Sequence, residues 1–365
     1  MKMKAAVLYQ PGRPLVVEEV EIDEPGENEV MVKLVGTGVC HTDLGVQEKG
    51  LLMPMVLGHE GAGIVHKVGS GVDSLRTGDH VVLTGAGNCG RCQACRRGSP
   101  VMCEIYRPFY FNGYLPGKHL RLRNGKGQPI YHFFMQPSFA EYAVVPADCA
   151  IRVREDAPLD TIGVLGCGAM TGLGAVINKL RPEVGSSIAV FGCGGVGMSS
   201  IMGASLCGAG TIIAVDVLDS KLEAAAGFGA THFVNSAREN VVARVRQLTG
   251  GGADYSVMAV GNADVVPLAF DCLRFGGTCV VVGGPPDGGR ASVDLLSLIR
   301  EKKLVGSSMG SGWSSRNIST WVDLFMQGRL PLDKLVSRRY PLAEINEAFE
   351  ALAGGKVIKP LVTFD

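Results

Sequence analysis

Residues 187–216 read SIAVFGCGGVGMSSIMGASLCGAGTIIAVD. An apolar, β-branched run at 188–191 enters the turn Gly192-Cys193-Gly194-Gly195-Val196-Gly197. A small-residue stretch at about 196–207 reads as a helix, and a second β-branched run at 211–215 ends in Asp216. Strand, G-x-G-x-x-G, helix, strand and acid within about 30 residues describe a dinucleotide-binding βαβ unit. Gly192 permits the tight turn, Gly194 lets a diphosphate approach the backbone, and Gly197 lets the helix pack on the strand. The helix start offers free N–H groups and a positive dipole end to the diphosphate. Asp216 can accept hydrogen bonds from both ribose hydroxyls and repels a 2′-phosphate, so NAD is expected over NADP.

The surrounding chain has the size and composition such a unit needs. Its 365 residues suit two domains or one large one, and 46% hydrophobic against 19% charged residues supplies a sizeable core. Net charge is zero, with no basic block or acidic tail, so nucleic acid and membrane surfaces are not expected partners. The opening MKMKAAVLYQPGRP is too short and too soon interrupted for a signal peptide. No apolar run reaches the roughly 18 residues of a membrane span. Eleven cysteines with no export signal point to a reducing, cytoplasmic setting in which thiols act as ligands.

The N-terminal part reads as β-rich: runs at 4–8 and 15–20 flank Pro11-Gly12, 29–36 alternates, and 61–68 and 79–83 follow. Cys89, Cys92, Cys95 and Cys103 then give C-x2-C-x2-C-x7-C. Two-residue gaps turn successive thiolates onto one centre, and four of them leave no open position, which suits structural zinc. An iron–sulfur cluster or disulfides are the competing readings. Residues 106–137 are long, aromatic and loop-like, and 139–145 reads as a strand. From about 170 to 305 helices and strands alternate, with helices near 220–228 and 240–248 and strands at 232–234, 255–260 and 279–282. That pattern implies an α/β fold with a doubly wound parallel sheet. Helices are expected at 321–326 and 342–352, and a last strand at 361–364.

Cys40, His59 and Cys167 stand in C-H-T-D, G-H-E and G-C-G, each at a strand end or glycine turn. Two thiolates and an imidazole would leave a fourth zinc position for water or substrate. Buried cysteines and a structural histidine explain the same residues, and spacing alone does not choose.

CHTD, GHEGAGIV, GNCGRCQACRRGSPVMC, GCGAMTG, FGCGGVG, VVGGPP and KPLVTF occur in this order along nearly the whole chain. In these the sequence resembles the zinc-dependent alcohol dehydrogenases of the medium-chain dehydrogenase/reductase superfamily, in their long-loop, class I/class III-like branch. The resemblance implies a GroES-like β-rich catalytic domain of residues 1–168 and 309–365 with both zinc sites, and a Rossmann NAD-binding domain of residues 169–308. It implies two zincs per chain. Cys40, His59 and Cys167 match the catalytic zinc ligands, and Cys89, Cys92, Cys95 and Cys103 the structural ones. Glu60 matches an acid behind the zinc, Asp43 a carboxylate that orients the ligand imidazole, Thr42 a hydroxyl that relays the substrate proton, and His41 a diphosphate contact. Gly192, Gly194, Gly195, Val196, Gly197, Asp216 and Lys221 match the NAD site. Thr171 and Val282 match nicotinamide-side contacts, and Lys359 a basic residue near the diphosphate. Lys221 and Lys359 also read as surface lysines.

The sequence departs from the family at three places. Gly45 stands where many relatives end the proton relay in histidine. Gly85 stands where a bulky aromatic commonly lines the substrate pocket, so an enlarged pocket for bulky, aromatic or allylic alcohols is expected. Phe133 and Phe134, followed by Met135, match other pocket positions. Arg107 matches an arginine that class III enzymes use on the anionic group of a thiol–formaldehyde adduct. The loop between Cys40 and His59 is shorter here and lacks their acidic pocket residues, so Arg107 reads first as a surface or interface arginine. The expected activity is reversible NAD-linked oxidation of an alcohol. Oxidation of a thiol–formaldehyde adduct is the runner-up, and a catalytically silent NAD-binding relative is the non-enzyme alternative. Members of the family are dimers or tetramers, with strands near 279–282 and 304–308 pairing across the dimer, and the long 106–137 segment resembles the dimeric branch, so a homodimer is expected, with a tetramer as the alternative.

Overall fold

The first strands are short and strongly apolar on one side, which favours closure of the sheet into a barrel. In the computed structural model, which describes residues 1–284 and 288–364, this is what they do. Pro285 and Pro286 of the VVGGPP motif, and Asp365 at the end of the expected catalytic segment, lie outside the described residues. The chain divides into two units, one of Met1–Cys167, Gly312–Gly328 and the chain from Leu335, the other of Gly168–Ser311 and Arg329–Lys334.

In the first unit a closed barrel runs in the order Lys2–Leu8, Val16–Ile22, Leu122–Asn124, Pro129–His132, Met55–Val56. Val7 pairs with both Val16 and Val56. The segment 106–137, expected as a loop, therefore contributes two barrel strands. They are three and four residues long, and Leu122 and Ile130 are the paired apolar residues that hold them. A second sheet runs Ala150–Arg152, His80–Leu83, Gly61–Val68, Glu29–Gly38, Lys359–Thr363, Val336–Pro341, with Tyr142–Pro146 also on Glu29–Gly38. Residues 29–36 alternate in sequence, yet Val30, Met31, Val32 and Leu34 are all buried, Lys33 is exposed and Val35 half-buried. The strand is covered on both faces, and irregularities in its pairing with Gly61–Val68 fall at Met31/Val32 and Leu34/Gly36. A bulged strand bends and re-aims its end. Here that end delivers Cys40 as the N-cap of a helix, His41–Lys49, that the sequence pattern did not suggest. Only Asp43 and Val46 of this helix are buried, so it carries no apolar stripe to read.

The second unit is a six-stranded sheet, parallel throughout, in the order His232–Asn235, Thr211–Asp216, Ser187–Phe191, Ala253–Met258, Leu273–Val281, Lys303–Gly306. Counted along the chain this is 3-2-1-4-5-6, a doubly wound arrangement in keeping with the sheet type expected from the alternating pattern. Strand order reverses at Ser187–Phe191, and the glycine turn leaves its carboxyl end at that switch point. Helix Gly195–Leu206 follows and is buried from Gly197 to Ala204. A Cβ at Gly197 would lie 1.7 Å from the Gly192 carbonyl oxygen, so only glycine permits this packing. Helix Gly168–Gly174 reaches the same helix through Gly172, whose Cβ would lie 2.1 Å from the Val196 oxygen. The strand expected at 279–282 begins six residues earlier, at Leu273.

Candidate metal centre and cofactor cradle

The backbone of the first unit gathers four metal-binding side chains from three separate segments. Cys40 caps helix His41–Lys49, His59 and Glu60 precede strand Gly61–Val68, and Cys167 follows the turn Gly163–Gly166. One ligand atom from each of these four residues lies within 4.8 Å of the others, and all four ligand groups are buried. Gly58 sets the approach of His59. Its φ is +88°, and a Cβ there would meet Ser138 Oγ at 2.6 Å and Phe139 N at 2.7 Å.

Asp43 ties the two halves of this set together. Its Oδ2 accepts from the Cys40 N–H at 2.9 Å, and Oδ1 accepts from the Gly58 N–H at 3.1 Å and from His59 Nδ1 at 3.0 Å. The last bond fixes the imidazole tautomer and leaves Nε2 as the basic nitrogen. His59 Nε2 is buried with no hydrogen-bond partner among the described residues. A buried imidazole nitrogen rarely goes unpartnered, and here it points into a set of two thiols and a carboxylate. These donors fit zinc, with two thiolates and one imidazole as ligands and a position left over.

Electrostatics at the set are strong. Burial works against a charged His59, but Asp43 overcomes it and holds the ring well above its ordinary value. The neighbouring Cys167 thiol holds Cys40 well below the usual thiol range against burial, and Lys359 adds to the effect. Glu60 is raised by burial despite Lys359, whose Nζ donates to Glu60 Oε1 at 2.8 Å. The structure thus places Lys359 on Glu60, fully inside the protein, which removes the surface reading of this lysine. Thr42 is half-buried, its Oγ1 3.6 Å from Cys40 Sγ, while His41 is exposed.

Aromatic rings crowd one side of His59. Phe134 stacks on it at 4.9 Å between centroids and 22° between planes, and Phe133 meets it edge-on at 5.3 Å. Tyr110 stacks on Phe134 at 5.1 Å, and Phe111 meets Phe134 edge-on at 4.9 Å. The open space expected at Gly85 is not there. A Cβ at Gly85 would lie 2.4 Å from Phe134 Cδ1, so the ring of Phe134 fills the room a side chain at 85 would need. Met135 is buried beside these rings. The Arg107 guanidinium lies 4.9 Å from the centre of the Tyr110 ring. Tyr110 and Phe111 were not singled out in the sequence. Their only signal there is the aromatic richness of residues 106–114, which gives no spacing to a distant histidine.

The four remaining cysteines form a separate set whose sulfurs also lie within 4.8 Å of one another. The Cys92 and Cys95 N–H groups point at the sulfurs of Cys89 and Cys92, at 3.3 and 3.4 Å. The Cys92 and Cys103 sulfurs are 3.9 Å apart and all four cysteines are free thiols, which removes the disulfide reading. Backbone N–H groups of Cys95 and Glu104 bring the Cys92 thiol down to about 6, and burial pushes Cys95 up to about 12. Four thiols and no other donor fit a closed zinc site.

In the second unit Gly192 turns at φ +92°, and its N–H donates to the Val215 oxygen at 2.8 Å. A Cβ on Gly194 would meet nothing within 4 Å, so backbone faces open space where a diphosphate would lie. Gly195 and Val196 begin the helix, whose first N–H groups have no intrahelical acceptor. Asp216 accepts from the N–H groups of Cys193 at 2.8 Å, Val217 at 2.8 Å and Leu218 at 3.1 Å. Three backbone bonds fix the carboxylate at the strand end beside the turn, where a ribose would lie. Lys221, on helix Asp219–Ala226, is close enough to lower the Cys193 thiol against the dominant effect of burial. Thr171 is buried in helix Gly168–Gly174, and Val282 follows strand Leu273–Val281 with its N–H on the Met258 oxygen at 3.0 Å. The cradle fits a dinucleotide.

Comparison with known proteins finds family matches in two regions of the chain. Residues 26–155 match the alcohol dehydrogenase GroES-like domain, and residues 195–327 match the zinc-binding dehydrogenase family. Alcohol dehydrogenase 1 of Pisum sativum is 37% identical over 371 residues, covering 100% of this chain and 98% of that protein. S-(hydroxymethyl)glutathione dehydrogenase of Paracoccus denitrificans is 37% identical over 376 residues, covering both chains fully at 100%. Among solved structures, benzyl alcohol dehydrogenase of Acinetobacter calcoaceticus superposes with a TM-score of 0.95 at 37% identity, with 100% of each chain covered.

Proposed function

The chain belongs to the zinc-dependent, NAD-linked alcohol dehydrogenases of the medium-chain dehydrogenase/reductase superfamily, and we propose that its substrate is a primary alcohol carrying a flat unsaturated group, aromatic or allylic, which it oxidises reversibly to the aldehyde. The observation that carries the substrate reading is the wall of rings beside His59: Phe134 and Tyr110 in stacked geometry, with Phe133 and Phe111 edge-on. Flat unsaturated groups gain from such contacts beyond their buried area. Gly85 does not support it, because the ring of Phe134 fills the space a side chain there would need. The similarity to a benzyl alcohol dehydrogenase does.

Cys40, His59 and Cys167 hold the catalytic zinc in this reading, and Cys89, Cys92, Cys95 and Cys103 the structural one. When bound, the catalytic zinc supplies Lewis acidity, which eases loss of an alcohol proton and polarises a carbonyl. NAD supplies a hydride acceptor. The protein's own groups do the rest. Asp43 keeps the His59 ring in the tautomer and orientation a ligand needs. Thr42, beside Cys40, takes the hydroxyl proton and passes it outward, with His41, ribose hydroxyls or water as the next station because Gly45 offers no group. Glu60, paired with Lys359, keeps an anionic oxygen next to the ligand set without leaving a net buried charge. Asp216 selects NAD by accepting from ribose and repelling a 2′-phosphate. Residues 1–168 with 309–365 and residues 169–308 act as catalytic and NAD-binding domains.

We also propose a cytoplasmic homodimer. No disulfide joins any of the eleven cysteines, and among the described residues no single helix is long and apolar enough to cross a membrane. Among the described residues the outer strand of the parallel sheet, Lys303–Gly306, is paired on one side only, and Leu295 and Ile299, shortly before it in the chain, are exposed at 72% and 76%. An open edge with an apolar flank favours pairing with a second copy.

NADH formation with ethanol, benzyl alcohol, cinnamyl alcohol and formaldehyde plus a thiol tests the reading, with and without a zinc chelator. Chelator-sensitive turnover that favours benzyl and cinnamyl alcohols is expected. Turnover confined to formaldehyde plus thiol would replace it with the thiol-adduct activity, which the likeness to S-(hydroxymethyl)glutathione dehydrogenase keeps as the second reading.

A further inference from the structure

Net charge is zero over the whole chain but not along it. Residues 18–29 hold seven Asp and Glu and no Lys or Arg. Residues 91–126 hold eight Lys and Arg against one acid, Glu104. The fold brings the two stretches together within the first unit. Arg121 grips Glu29 with two bonds, Nε to Oε2 at 2.8 Å and Nη2 to Oε1 at 3.2 Å, and Glu29 is only 4% exposed. Arg123 lies 3.8 Å from Asp23. A forked pair at that depth fixes the seam between the stretches.

A cleft of about 510 Å³ opens along this seam, within the size range of small-molecule sites. None of its lining residues belongs to either metal set or to the second unit. Its charges are sorted by segment. Glu27, Glu29, Asp73 and Asp148 come from residues 27–29, 71–74 and 146–148, which bring no cation. Arg91, His119 and Arg121 come from residues 91, 105–106 and 116–121, which bring no carboxylate. The acidic segments are tied to each other: the Ala147 N–H donates to the Asn28 oxygen at 2.9 Å, and a Cβ on Gly71 would meet Asn28 Oδ1 at 3.1 Å. The two walls touch through Arg121 on Glu29 and through the buried Tyr106 hydroxyl, which donates to Asp148 Oδ2 at 2.6 Å. Among the described residues the side chains of Glu27, Asp73 and Arg91 have no hydrogen-bond or ion-pair partner. Val72, Ile105, Pro116 and Pro146 add apolar lining.

The geometry points to a second binding site in this cleft, for a short zwitterionic peptide whose ammonium lies on Glu27 and Asp73 and whose carboxylate lies on Arg91. The apolar lining receives its side chains. A ligand with both charges satisfies both walls at once, whereas an anion or a cation alone leaves one wall facing a like charge. The site stands apart from the proposed alcohol oxidation and does not depend on it.

Calorimetry on the zinc-loaded protein tests this with L-leucyl-L-leucine and two relatives that each lack one charge, the N-acetyl dipeptide and the dipeptide amide. The dipeptide binds at least about tenfold more tightly than either, the scale of one charged hydrogen-bonded contact. Arg91→Gln removes the preference over the amide and keeps the preference over the N-acetyl form. Glu27→Gln combined with Asp73→Asn does the reverse. General loosening of the fold would weaken all three ligands alike, so the crossed pattern reports the two poles themselves. The dipeptide leaves KM for benzyl alcohol unchanged. No saturable binding in the millimolar range, a preference below about twofold, or competition with the alcohol overturns the site. The binding arms need no turnover, so they decide the site even where the reading of function fails.

Discussion

The two metal sets of the first unit are built on opposite plans. The four-cysteine set takes all its ligands from residues 89–103, and its sulfurs receive N–H bonds from the same short turns. It can be assembled by local chain alone. The second set takes Cys40, His59 and Cys167 from three segments, and each is placed by something distant: a bulged strand, a glycine that must clear Phe139, a turn that follows the sheet. Its geometry exists only once the fold does. A local set can be asked to stabilise, since metal binding there restrains a loop. A dispersed, buried set with one ligand position to spare is suited to chemistry, since the fold and not the metal holds its ligands apart.

That contrast can be broken by experiment. The largest effect is expected from Cys40→Ser, which should drop turnover to background while one zinc stays in the cysteine lobe; metal analysis with an NADH assay checks it. Equal loss of both zincs would show that the sets are not independent. Asp43→Asn comes next. It removes the carboxylate that orients His59 and should weaken catalytic zinc by about 10–100-fold without touching the lobe, as read by chelator competition. Cys95→Ser should do the reverse, lowering Tm by roughly 5–10 °C while activity per remaining catalytic zinc persists. Activity lost in proportion to lobe zinc would contradict the division of roles.

The last effect, absent at neutral pH, concerns the barrel that carries neither set. Burial, aided by Arg121, pushes the His132 ring down to about 3 from an ordinary 6.5. The fold keeps it neutral, while the unfolded chain takes up a proton below about 6.5. Its share of stability is therefore complete above pH 6.5 and is lost as pH falls towards 3, by at most about 1.4 kcal/mol per pH unit. His132→Gln should flatten the melting curve over that window. An unchanged acid slope would mean that other groups carry it.

The same contrast explains what could be read in advance. The cysteine lobe was legible from spacing, and the cofactor cradle from one continuous βαβ stretch. The parallel, doubly wound character of the second unit followed from alternation of strands and helices, while its strand order is known only from the fold. The dispersed set was not legible from residues alone, since nothing in C-H-T-D or G-H-E says that they meet; the family resemblance supplied the link. The barrel strands Leu122–Asn124 and Pro129–His132 were missed because three or four residues carry no period. Lys359 reads as a surface or cofactor lysine by type, and only the fold shows its partner, Glu60. Gly85 is the most instructive error. A glycine in sequence reads as empty space, but whether the space stays empty depends on Phe134, a residue that no local pattern connects to it.

The most direct test of the two-set account is staged zinc removal from the wild-type protein, with zinc per chain and NADH formation followed together. About two zincs per chain are expected at the start, and activity should disappear with one of them while the melting transition remains cooperative. One zinc at the start, or activity that survives until the cysteine lobe is emptied, would contradict it.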